Sequence, residues 1–234
     1  MSTHLSRKEL KQDNVALKVE ETAHFFATHG ALVKRAGIAV VAVLVIGLGS
    51  WFFLSSRRDA RELALASALT LQSAPVGAAP PNGGQFFPSE PAKADAVRKA
   101  FNAIVTQNSG SEEAYAAEYY LAGLDITAGK MEDAMKKYDH VIAGAGADYA
   151  SLAKLGKAQV LFAMARSPEA QNILKDLIAN PTALVSKEQA SMALAKGIAD
   201  TQPEEARKLL VPIAAQSSEI SQSAVTAIAE LPQK

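Results

Sequence analysis

The sequence predicts an all-α protein: a single transmembrane helix followed by an α-solenoid of about three helix pairs with flanking helices. Three observations carry this. Residues 36–56 form a run with no charged side chain. Forty-six of the 234 residues are alanine, the strongest helix former and small enough to let helices approach closely. Residues 92–231 alternate helical apolar patterns with short Gly, Pro and Ser breaks.

The net charge is zero, yet it is unevenly laid out. Residues 1–35 hold six bases and four acids, and residues 57–234 hold eighteen bases and twenty acids. No basic excess points to nucleic acid as a partner. The absence of cysteine excludes thiol nucleophiles, disulfides, iron–sulfur clusters and cysteine zinc sites.

The chain divides into four parts. Residues 1–33 form a cytoplasmic tail with an amphipathic helix, on which Val15, Val19, Ala23 and Phe26 share one stripe. This helix either lies on the inner membrane surface or a partner, or simply leads into the span; both readings stay open. His24 and His29 are five apart and do not share a helical face as metal ligands.

Residues 34–56 are the transmembrane helix. At a rise of about 1.5 Å per residue the uncharged run crosses roughly 30 Å, the thickness of a hydrocarbon core. Lys34 and Arg35 bracket one end, Arg57 and Arg58 the other, and Trp51, Phe52 and Phe53 suit an interfacial aromatic belt. A cleaved signal peptide has a shorter core and no 35-residue leader. The flanking charges tie locally. The bases Arg7, Lys8 and Lys11 favour a cytoplasmic N-terminus, because short tails obey the charge rule better than long domains.

Residues 57–91 are a helical stalk, which continues the membrane helix, and a Pro/Gly-rich loop. Five of the ten prolines and three glycines fall within 74–91, so no regular element persists there. Phe86 and Phe87 are an apolar spot expected to tuck back onto the domain.

Residues 92–234 form the repeat domain. Tyr115 and Tyr149 open similar stretches 34 residues apart, with Leu121-Ala122 matched to Leu155-Gly156. Gly129 ends one helix in a left-handed cap. Ala134, Tyr138 and Val141 follow in the next helix, as do Ala170, Leu174 and Leu177 in the second copy. The second turn, at 166–169, reads as about two residues longer. A third copy offers Leu194, Ala195, Ala206, Leu210 and Ile213, and Pro212 should bend or end its second helix.

These residues resemble a tetratricopeptide (TPR) repeat, a helix pair of 34 residues. The order of tail, span and degenerate TPR domain, with Phe25-Phe26-Ala27-Thr28-His29-Gly30 before the span, resembles the YfgM-like family of bacterial inner-membrane proteins. The resemblance implies a single-pass protein of the bacterial inner membrane with a periplasmic C-terminal domain. It implies an ancillary factor at the Sec translocon, working with a periplasmic chaperone, a folding factor or unfolded clients. The loop at 74–91 departs from the family pattern. The other reading is a structural tethering subunit of an envelope or secretion assembly that binds no client.

No enzyme is expected, and neither a cofactor nor a metal. The segment 144–149 lacks the third glycine of a dinucleotide fingerprint and follows a helix. Paired acids such as Glu112-Glu113, Glu132-Asp133 and Glu204-Glu205 sit in first turns, where they complement the helix dipole. The expected site is a peptide groove lined by the first helix of each pair. Tyr119 and the lysines that follow the Leu-small pair in the second and third copies, Lys157 and Lys196 (Gly123 in the first), should face it and hold a carboxylate-bearing peptide.

Overall fold

The computed structural model describes residues 30–77 and 84–232. The expected tail helix, its histidines, the paired phenylalanines before the span and the centre of the Pro-rich loop lie outside them. The described residues are all-helical: α1 (Gly30–Ser73), α2 (Glu90–Gln107), α3 (Glu112–Thr127), α4 (Met131–Gly144), α5 (Ala147–Ala163), α6 (Ser167–Ala179), α7 (Lys187–Ile198), α8 (Pro203–Ala214) and α9 (Glu219–Glu230). The chain forms two compact units, Met1–Asp59 and Ala60–Lys234.

In the first unit, α1 is long and apolar enough to cross a membrane. Its large apolar side chains from Ile38 to Leu54 are all more than half exposed, so no protein core accounts for them. At their end the Arg57 guanidinium sits 4.5 Å above the Phe53 ring, a cation–π contact suited to an apolar–polar boundary.

The second unit begins with the last turns of α1. Ala68 is buried there, and Leu65 and Leu69 are half-buried, against Val97, Phe101 and Ile104 of α2. The stalk therefore supplies the first helix of a leading pair, with α2 as its second. Arg61 of α1 donates to Glu113 of α3 at 2.9 Å, fastening this pair to the next. Between α1 and α2 the loop closes through a parallel bridge of Val76 with Phe87, in which the Gly77 amide donates to the Phe87 carbonyl at 2.9 Å. Phe87 is half-buried and Phe86 is exposed, so the pair divides between tucking and exposure.

Three further pairs follow, α3–α4, α5–α6 and α7–α8, with α9 closing the array. Helix starts carry their own donors' partners. Ser111 accepts from the Ala114 amide, and Ser186 with Gln189 forms a capping box at α7. Consecutive first helices, α3, α5, α7 and α9, approach one another, whereas the second helices α4, α6 and α8 do not. The first helices therefore line the inner side of the solenoid and the second helices its outer side.

Measured on the second helices the repeat length is 36 residues, not the 34 expected. Ala134, Ala170 and Ala206 recur at that interval in the second helices, all fully buried at each pair's crossing. The turns within the first two of these pairs, α3–α4 and α5–α6, are equal in length. Gly129 and Ala165 take the same left-handed place, and the amides of Lys130 and Arg166 donate to the Asp125 and Leu161 carbonyls, both at 2.8 Å. The extra residues thus lie in α5 and its entry, not in the turn at 166–169. Pro212 does not end its helix; α8 continues through it to Ala214.

Candidate functional site

The register of the first helices decides which side chains reach the inner face. Leu121-Ala122 of α3 corresponds to Lys157-Ala158 of α5 and Leu194-Ala195 of α7, because Ala122, Ala158 and Ala195 are all fully buried. The match of Leu121-Ala122 to Leu155-Gly156 was two residues out of step. The position after the small residue is therefore Gly123, Gln159 and Lys196. Gln159 and Lys196 are exposed.

Lys157 consequently leaves the expected groove. It stands where Leu121 stands in α3, turned toward the second helix of the preceding pair. Its ammonium pairs with Asp139 of α4. Tyr119 is also not a free ligand. It is half-buried, with its ring 5.8 Å from Tyr138 and 5.4 Å from Tyr120. Burial pushes its phenol above the ordinary range, with the neighbouring Tyr120 adding to the effect, so it stays neutral and acts as a packing group.

Lys196 lines an open hollow. Gln222, Ser223, Thr226 and Glu230 of α9 form the other wall. This surface offers a cation, a carboxylate, two hydroxyls and an amide with little apolar floor. It suits hydrogen bonding to a polar chain more than capture of an apolar side chain. Only Lys196 was legible in the sequence; the α9 residues carry no motif. The spacing of Ala134, Ala170 and Ala206 was the available signal for the correct register.

The acids at helix starts hold the stack together. Glu112 accepts from the Gly146 amide at 2.9 Å, across to the start of α5. Asp148 accepts from the Ala183 amide at 3.1 Å, across to the approach of α7. These first-turn carboxylates complement the helix dipole and also tie one pair to the next. Among the described residues no group of three or more His, Asp or Glu could hold a metal ion.

Comparison with protein-family models, with curated proteins and with solved structures gives no match. The fold itself defines the class: an α-solenoid of helix pairs continuous with a helix apolar enough to span a membrane.

Proposed function

We propose that this chain is a membrane-anchored, TPR-like interaction scaffold of the YfgM-like kind. Its N-terminus lies in the cytoplasm and its solenoid in the periplasm of a bacterial cell. There it serves as an ancillary factor linking the Sec translocon to periplasmic chaperones, folding factors or clients. The observation that carries this reading is the pairing of an exposed apolar run in α1 with a solenoid whose inner face bears the polar hollow at Lys196. A solenoid of this kind offers an extended surface for chains rather than an enclosed pocket for a small substrate.

The experiment is photo-crosslinking in native membranes, with the crosslinking residue placed at Gln222. Capture of translocon subunits or periplasmic folding factors supports the scaffold. Capture of envelope-assembly proteins alone supports the tethering subunit instead. Protease added to intact spheroplasts should cut the exposed stretch around Phe86; protection until the membrane is opened would reverse the orientation.

A further inference from the structure

The outer side of the solenoid holds a second surface, unrelated to the inner hollow. Because second helices do not approach each other, a gap lies between α6 and α8, floored by α7. One repeat earlier, between α4 and α6, the equivalent gap is bridged. Arg166, at the start of α6, reaches the Met135 sulfur of α4 at 3.8 Å. The residues 36 positions on from this pair are Gln202 and Gln171. Both line the open gap, and two short neutral amides replace a bridging guanidinium.

The gap has an apolar bed and a rim on which three lysines outnumber two glutamates, Glu188 and Glu205. Ile178 of α6 and Leu209 of α8 face each other across it, above Leu194 and Ile198 of α7. Lys175, Lys187 and Lys208 stand along its length. Lys175 and Lys187 form no salt bridge among the described residues; Lys208 lies 3.5 Å from Glu205, an exposed acid that itself lines the gap. Glu188 also borders the gap. Its carboxylate is held below the usual range chiefly by its own backbone amide and by Ser186 at the start of α7, so its charge is engaged by the helix end. Pro212 adds a further feature: having no N–H, it leaves the Lys208 carbonyl without its usual helical donor beside the gap.

We infer that this gap docks an extended protein segment in which aliphatic and acidic side chains alternate. The aliphatic side chains enter between Ile178 and Leu209, and the acids meet Lys175, Lys187 and Lys208. The amides of Gln171 and Gln202, with the Lys208 carbonyl, satisfy the segment's backbone. This inference rests on the scaffold reading only in taking the solenoid as a protein-binding surface; it assumes neither the translocon nor the hollow at Lys196.

The test uses the full chain in detergent micelles and a short labelled peptide of alternating Leu and Glu, followed by fluorescence anisotropy. Saturable binding is expected. The combined variant Lys175→Glu, Lys187→Glu, Lys208→Glu should weaken it about tenfold, three exposed pairs each contributing a fraction of that. Lys196→Glu should leave it unchanged. A second variant, Gln202→Arg with Gln171→Met, rebuilds the bridge found one repeat earlier and should abolish binding while the helical circular dichroism stays intact. Equal binding of a Leu/Lys peptide, no binding of the Leu/Glu peptide, or indifference to both variants overturns the inference. So does self-association of the chain that the bridging variant abolishes, which would make a second copy the occupant. Failure of the Gln222 crosslink alone bears on the inner hollow and leaves this result standing.

Discussion

Asp125 is 1% exposed, and its two oxygens accept from Arg98 of α2 at 2.7 Å and from Lys137 of α4 at 2.6 Å. One carboxylate thus joins three helices. Burial by itself pushes its pKa up, but the hydrogen bonds from Lys137 and Arg98 outweigh that and hold it below the ordinary value of 3.8. The Asp125→Asn variant keeps the shape and removes the charge that both cations need. It should cost about 2–3 kcal/mol at neutral pH, read from urea midpoints of the full chain in micelles. A depressed carboxyl stabilises above its unfolded pKa and loses that contribution as pH falls through the lower folded value. The gap between wild type and variant should therefore be constant at neutral pH and close on acidification below about 3.8. A gap that widens in acid rules this account out. Ala165 supplies a stabilising counterpart. It has φ 59° where the preceding repeat has Gly129 at φ 74°. Ala165→Gly should add about 0.5–1 kcal/mol, since relief of the left-handed strain exceeds the added unfolded-chain entropy. A lower urea midpoint for this variant would show that the turn is unstrained.

At the scale of the element, glycine notches set how closely helices meet. A Cβ on Gly156 of α5 would lie 2.6 Å from the Tyr138 ring of α4. Tyr138 is 4% exposed and has no open side to move toward. Gly156→Ala gains up to about 1 kcal/mol in helix propensity and loses about 1–3 kcal/mol to overpacking, so it should destabilise. Gly144 of α4 also receives an aromatic ring, that of Tyr115, but Tyr115 is half-buried and can swing outward. Gly144→Ala should therefore shift the denaturation midpoint less than Gly156→Ala; the reverse order would mean Tyr138 is the freer ring. These notches also explain how far the elements were legible. Apolar periodicity and alanine content mark helices that the structure contains, and the small residues Ala134, Ala170 and Ala206 mark their crossings correctly. The first helices misled because Lys157 occupies the place of a leucine. A lysine whose stem lies in a seam and whose ammonium pairs with Asp139 reads, in sequence, as a surface residue. Leu155-Gly156 then offered a false match, and the candidate groove inherited a two-residue slip.

At the scale of the molecule, the zero net charge separates into a slightly basic leader, a neutral run and a slightly acidic remainder. The neutral run was legible because its length and lack of charge are read directly. The start of the solenoid was hidden, because the residues after Arg57 look like a continuation of the same helix, which they are. Only packing shows that α1 changes its surroundings along its length, from bare apolar side chains to a helix seated on Val97 and Phe101. This distinction has a direct consequence for where the chain can be cut. A fragment starting at Ala60 keeps the cover over α2 and the Arg61–Glu113 pair, and it should be soluble with a cooperative thermal transition. A fragment starting at Glu90 bares Val97, Phe101 and Ile104 and leaves Glu113, which is 8% exposed, without its cation. Lost apolar cover and an unpaired, poorly hydrated carboxylate should together cost about 3–5 kcal/mol, a large share of the stability of one domain. Size-exclusion chromatography with thermal melting separates the two: the shorter fragment should melt earlier or aggregate. If both fragments melt alike, the end of α1 is only a stalk and the solenoid begins at α2.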